Sequence, residues 1–261
     1  MTTASRILLF SILILTTGCA SGSGNLKETV AEPAQEEILT EVDEILFAHL
    51  DATGGLERWK SAQNVVIDGV FEITGQGIVG STRIIRQAPN LFVIVTDIGG
   101  LKTFEGHDGK DVWLFDSVNG IRVLEGDERT HHLAQGSLDR FLRWRDYYRT
   151  ADVLPNERVD GVPARVVAFK YAGGGTEMMY FNARDNRLMR VQGAMFSPEG
   201  AHPILTDFRE FRSVQGLAFP MQEEVRIGTT RIILVKKSIA VNVPIEQSFS
   251  PPVTPVKENS S

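Results

Sequence analysis

From residue 64 onward the chain is cut into short β-type runs by turn signals at near-regular intervals, a pattern that excludes a helical bundle. The first half carries runs at 65–74, 82–87, 91–98, 103–107, 112–116 and 121–124. Between them stand Gly75-Gln76-Gly77, Ala88-Pro89-Asn90, Gly99-Gly100, Asp108-Gly109 and Asn119-Gly120. The second half repeats the habit at 165–171, 177–182, 188–196, 204–213, 218–227 and 230–241, punctuated by Gly173-Gly174-Gly175, Asp185-Asn186 and Gln215-Gly216. Consecutive runs on such short loops read as an antiparallel meander. The spacing recurs but the residues do not, so the period is structural rather than a sequence repeat. A sheet of about 11 or 12 strands is too wide to stay flat and should curl, and its apolar face needs cover.

The cover comes from two helical stretches. Ile38, Val42, Ile45, Leu46, His49 and Leu50 recur at helical spacing, with Glu36 and Glu37 placed to favour the dipole of the first turn. This helix stops near Thr53-Gly54-Gly55, and Leu56 to Trp59 adds one more turn. Residues 127–148 carry Leu133, Leu138, Phe141, Leu142 and Trp144, and read as a helical insertion with Ser137 as an internal cap. The expected class is α+β, a curved antiparallel β-sheet covered by a few helices.

Ahead of this domain, a basic residue at Arg6, an apolar run of nine from Ile7 to Leu15, and Thr16-Thr17-Gly18 lead to Cys19, the only cysteine. Those zones in that order make a secretory signal. The run is too short to span a bilayer, which needs about 20 apolar residues. Its end resembles the lipobox of bacterial lipoproteins, with Thr16 where most carry Leu. The resemblance implies cleavage before Cys19 and acylation there, and two or three chains anchor where one is marginal. Residues 1–18 are thus expected as signal peptide and 19–35 as lipidated N-terminus and flexible tether, the tether spanning roughly 20–25 Å. Residues 36–252 are expected as the folded domain and 253–261 as a disordered tail. Loss of Arg6 with the signal leaves a net charge of −7, and no clustered basic surface suggests nucleic acid. A lone cysteine allows no intramolecular disulfide, so packing must supply stability.

Ile45 to Trp59 with its Gly54-Gly55, the Arg86-Gln87-Ala88-Pro89-Asn90 turn, the stretch from Glu105 through Asp108-Gly109-Lys110-Asp111-Val112-Trp113, and the closing Phe249-Ser250-Pro251-Pro252 complete a second likeness. Together with the lipobox they resemble bacterial outer-membrane lipoprotein-sorting-like proteins of the LolA and LolB carrier superfamily. The resemblance covers residues 40–252. It implies a half-barrel closed by helices, with an apolar interior that takes acyl chains. Ala20, where Asp would signal inner-membrane retention in enteric-type sorting, implies the outer membrane's periplasmic face.

Motifs for chemistry are missing. His49, His107, His131, His132 and His202 form no His-Glu-x-x-His pair, and no Gly-x-Ser-x-Gly elbow occurs. His131 and His132 point apart on a helix and read as solvated or capping. Asp108 makes a turn, and Gly173 to Gly175 lacks the Lys-Ser/Thr of a phosphate cradle. Carboxylates are numerous but scattered. The expectation is therefore no enzyme, no metal and no cofactor. What remains is an apolar set, Phe71, Ile73, Ile84, Phe92, Ile94, Phe104, Trp113 and Phe115, as candidate cavity lining for an acyl chain or lipidated polypeptide. The competing reading is an envelope scaffold that docks another protein, with those residues as packed core.

Overall fold

The computed structural model describes residues 39–197 and 200–252. Cys19, the signal peptide, the tether, Glu36, Glu37, Ile38 and the tail 253–261 lie outside the described residues. The first helix, α1 (Glu41–Ala52), begins later than the acids at 36 and 37 suggested. Thr40 caps it: its backbone N–H donates to the Asp43 carboxylate at 2.8 Å while the Asp43 N–H donates to its hydroxyl at 3.3 Å. A short α2 (Leu56–Ser61) follows.

Then come β1 (Asn64–Ile73), β2 (Ile78–Gln87), β3 (Leu91–Ile98), β4 (Leu101–His107), β5 (Val112–Asp116) and β6 (Gly120–Val123). After α3 (Gly126–Gly136) and a 3₁₀ turn (Trp144–Asp146) come β7 (Thr150–Val159), β8 (Val162–Lys170), β9 (Thr176–Asn182), β10 (Leu188–Ser197), β11 (Gly200–Val214), β12 (Leu217–Ile227) and β13 (Thr230–Val241). The strands form one antiparallel sheet in the order β6-β5-β4-β3-β2-β1-β13-β12-β11-β10-β9-β8-β7. Among the described residues thirteen strands replace the expected eleven or twelve. The one that pattern reading missed altogether is β7, whose Pro155 and Asn156 interrupt the alternation. Its register slips between Leu154 and Glu157, and as an edge strand it tolerates proline. The sheet is open and does not curl strongly into the expected half-barrel. Its edge strands β6 and β7 stand at opposite ends of the order, so no pairing closes it.

Two meanders, β1 to β6 and β7 to β13, are joined where the first strand pairs with the last, Val65 opposite Val241 and Ile67 opposite Ile239. The chain therefore leaves one edge after β6 and must reach the other to start β7. Residues 124–149 make that crossing over one face of the sheet. Their helix is shorter than expected: α3 ends at Gly136, and Ser137 stands at its C-cap, its hydroxyl donating to the Leu133 carbonyl at 2.6 Å. A Cβ on Gly136 would lie 2.3 Å from the Phe92 ring, so the helix end rests directly on that ring. At the start of α3, Asp127 accepts from the N–H groups of Gly173 (2.7 Å) and Gly175 (3.3 Å). The glycine turn thereby ties the crossing segment to the β8–β9 connection.

Among the described residues the helix-covered face holds three cores, one of them Val65, Ile67, Ile84, Leu217 and Phe219 under Trp59 and Leu138. Val42, Ile45 and Leu46 of α1 pack with Trp144, Tyr147, Tyr148, Phe169, Met179 and Phe181 over β8 to β10. Leu133 of α3 packs with Phe92, Val112 and Leu124 over β3 to β6. On the other face, Val66, Ile85, Val93 and Trp113 are covered by Val243, Ile245 and Phe249, and the Trp113 indole donates to the Phe249 carbonyl at 3.1 Å.

Candidate functional site

Between the two helical covers the sheet is not fully filled. A cavity of about 310 Å³ lies there, floored by β1, β2 and β9 to β13 and roofed by the C-terminal half of α1, Trp59 of α2, α3 and residues 137–142. Much of the wall is apolar: Val65 and Ile67 from β1, Val191 from β10, Ile204 and Phe208 from β11, Phe219 and Val225 from β12, and Leu138, Phe141 and Leu142 from the crossing segment. A second hollow of about 560 Å³ abuts it and shares Trp59, Leu138 and Leu142.

The rest of the wall is a buried polar run. Glu177 is 1 % exposed and accepts from four side chains: Arg140, the amide of Gln135, the Tyr148 hydroxyl at 2.9 Å and the Tyr171 hydroxyl at 3.3 Å. Arg140 also donates to the Gln135 side-chain oxygen at 2.9 Å. Burial, helped by the Glu177 charge, pushes both tyrosine hydroxyls well above their ordinary range. Lys236 pairs with Glu223 at 2.6 Å. Arg86 donates from Nη2 to the Gln135 carbonyl at 3.1 Å, and burial lowers its pKa, with Glu223 pulling the other way.

The histidines at this roof are not solvated. His49 Nδ1 lies 3.1 Å from the Asn186 carbonyl and its ring stacks edge-on to Phe141, so burial holds its pKa down to about 4. His131 faces the cavity with Nδ1 3.2 Å from the Tyr171 hydroxyl; burial, then the neighbouring His132 charge, brings it to about 4. His132 points the other way, to Glu105 on β4 at 2.6 Å. Burial works against its charge, but Glu105 outweighs it and the pKa rises. The solvated or capping role expected for this pair is therefore replaced by two separate buried contacts. His107 bonds the Asn90 carbonyl at 2.9 Å, and Asp108 accepts from the N–H groups of Lys110 and Asp111, which makes the turn. Among the described residues, no three His, Cys, Asp or Glu side chains converge as metal ligands.

The eight apolar candidates fall on both faces of the sheet. Phe104, Trp113 and Phe115 belong to the core under Val243 to Phe249, on the face away from the helices. Ile84 and Ile94 pack with Val65 and Ile67, Phe92 lies under α3, and Phe71, over Gly80, and Ile73 share the strand parity of Ile67. None of the eight is among the residues that wall the cavity. The wall comes instead from β9 to β13 and from residues 137–142, where length and alternation alone showed no difference from ordinary core. The polar run did leave a signal. Glu177 shares strand parity with buried Met179 and Phe181, and Arg86 with Ile84, so each is a charge in an apolar row.

No family model and no curated sequence matches the chain. Solved structures do. A LolA superfamily protein from Nitrosomonas europaea superposes with a TM-score of 0.57 at 12% identity, over 81% of this chain and 98% of that one. The chain has the LolA-type fold. A domain named for outer-membrane lipoprotein sorting from Vibrio parahaemolyticus gives 0.52 at 10% identity, over 78% and 94%. A DUF1329 family protein from Desulfovibrio piger gives 0.53 at 13%, over the same shares. Among the described residues, no helix of this LolA-like body is long and apolar enough to cross a membrane.

Proposed function

We propose that this chain is a lipid-anchored protein of the outer membrane, facing the periplasm, that holds an acyl chain or a lipidated polypeptide in the cavity between its sheet and its helices, and performs no chemistry on it. Cys19 is the attachment point. The observation that carries the reading is the cavity itself, whose 310 Å³ falls at the low end of the range of small-molecule sites, about 300–1,000 Å³. Its Ile204, Val225 and Phe219 walls offer an alkyl chain about 25 cal/mol for each Å² removed from water. The LolA-type fold, shared with a domain named for lipoprotein sorting, supports the same reading.

The test is a titration of the full chain carrying Cys19→Ala with a fluorescent long-chain acyl probe. Saturable binding is expected, and Thr206→Phe, which enlarges a wall residue on β11 between Ile204 and Phe208, should weaken it by about tenfold, or about 1.4 kcal/mol, while circular dichroism stays unchanged. No saturable binding by the parent would overturn the carrier and favour a scaffold that docks another protein.

A further inference from the structure

We infer that the ligand of this cavity is an amphiphile with an anionic head on a long apolar chain, and that Arg86 is the group that receives the head. The inference deepens the carrier reading and rests on it. Each carboxylate around the cavity already has its own cation: Glu177 holds Arg140, Glu223 holds Lys236, and Glu105 holds His132. Arg86 is the cation left over, so the polar run carries one positive charge more than it neutralises.

Arg86 also has donors to spare. Among the described residues its one hydrogen bond runs from Nη2 to the Gln135 carbonyl, and its buried Nε has no protein acceptor. A guanidinium offers five N–H donors in a planar fork that matches a carboxylate or a phosphate oxygen pair. Protein encloses Arg86, yet the side chain keeps accessible area because it forms cavity wall. Arg140, on the same wall, likewise has an Nε with no acceptor.

The sheet shows why this is a poor place for a structural arginine. Arg86 stands in a cross-strand row between Val65 and Phe92, on the face whose other β2 members are apolar or small. An unpaired charge there opposes folding, whereas an aliphatic side chain would pack without that penalty. A ligand that brings a negative charge removes the penalty and extends its chain along the apolar walls of β11 and β12. The head class is a carboxylate or a phosphomonoester, since both present two or more oxygens to the fork.

The experiment uses the full chain with Cys19→Ala and displaces the fluorescent acyl probe with hexadecanoate, hexadecyl phosphate, hexadecan-1-ol and inorganic phosphate. Both long-chain anions should compete about tenfold or more better than the alcohol, the size of one charge-assisted hydrogen bond. In Arg86→Gln that preference should collapse to within about twofold, and Arg86→Lys, which keeps the charge and loses the fork, should fall between. Equal competition by anions and alcohol in the parent would overturn the anionic head and leave the carrier standing. A preference unchanged in Arg86→Gln would overturn the role of Arg86. Displacement by inorganic phosphate as effective as by hexadecyl phosphate would show a free-anion site and overturn the amphiphile. Failure of every long-chain compound, alcohol included, would sink the carrier reading itself. The parent's preference needs no variant, so the head-group test stands even where a substitution fails to fold.

Discussion

The two ends of the sheet solve the same problem differently. Strands β1 to β5 bury apolar side chains on both faces, because Trp59, Leu138 and α3 cover one and the segment carrying Val243, Ile245 and Phe249 covers the other. Among the described residues strands β10 to β13 have no such second cover, and their outer face is a ladder of ion pairs instead. Arg190 meets Asp207 at 2.5 Å, Arg226 reaches both Asp207 (3.0 Å) and Glu224 (2.8 Å), and Arg231 meets Glu224 at 2.8 Å. Their inner face lies between α1 and α3, and there the cavity remains. Helical cover is the limiting material in this molecule. Where cover is complete the sheet is a core, and where it runs short one face turns charged and the other hollow.

That contrast can be broken most directly at Trp113, 1 % exposed and the largest side chain of the packed end. Trp113→Ala should cost about 3–5 kcal/mol, read as a lower urea midpoint, with acyl-probe affinity of the folded fraction unchanged. Loss of probe binding at full folding would show that the packed end belongs to the site after all.

The next effect belongs to the cavity end alone. His49 has a pKa of about 4 when folded, against the ordinary imidazole value of 6.5, so the unfolded chain takes up the extra proton between those values. Its contribution is fully present above pH 6.5 and drains away as pH falls toward 4, by at most about 3 kcal/mol. His132, raised by Glu105, acts in the opposite sense and loses its contribution as pH rises through its folded value. Chemical unfolding at pH 7 and pH 4.5 should show the acid loss, and His49→Gln should reduce it by about half, because His131, also near 4, supplies a loss of the same sign. An acid loss of equal size in that variant would assign it elsewhere.

The smallest effect sharpens the contrast. Ile204 borders free space, so Ile204→Ala gives up fewer neighbours than a core truncation and should cost below about 2 kcal/mol, against 2–5 kcal/mol for the same change in a filled core. A cost as large as that of a filled core would mean that the cavity collapses around its walls.

Much of the architecture was legible. Gly99 and Gly100 take positive φ in a tight hairpin, as the glycine pair announced, and twelve of the strands lie near the runs read from alternation. The strand with proline inside it was not legible, because Pro155 erases the period-two signal that an edge strand can do without. Charges in apolar rows at Arg86 and Glu177 were visible in the letters, but their meaning was not. Nothing in a linear pattern says that Gln135 and Arg140 from the crossing segment will meet a carboxylate from β9.

Local chemistry, then, determined the elements: turn residues cut the strands, Thr40 and Asp43 start α1, and alternation assigns each side chain to a face. The tertiary structure decided what those faces meet. Pairing β1 with β13 puts β6 and β7 at opposite edges, and that forces residues 124–149 across the sheet and builds the roof of the cavity. The reason is physical: a strand's hydrogen bonds and alternation are satisfied by any compatible neighbour, so only the competition among all thirteen for partners and cover selects which neighbour it gets.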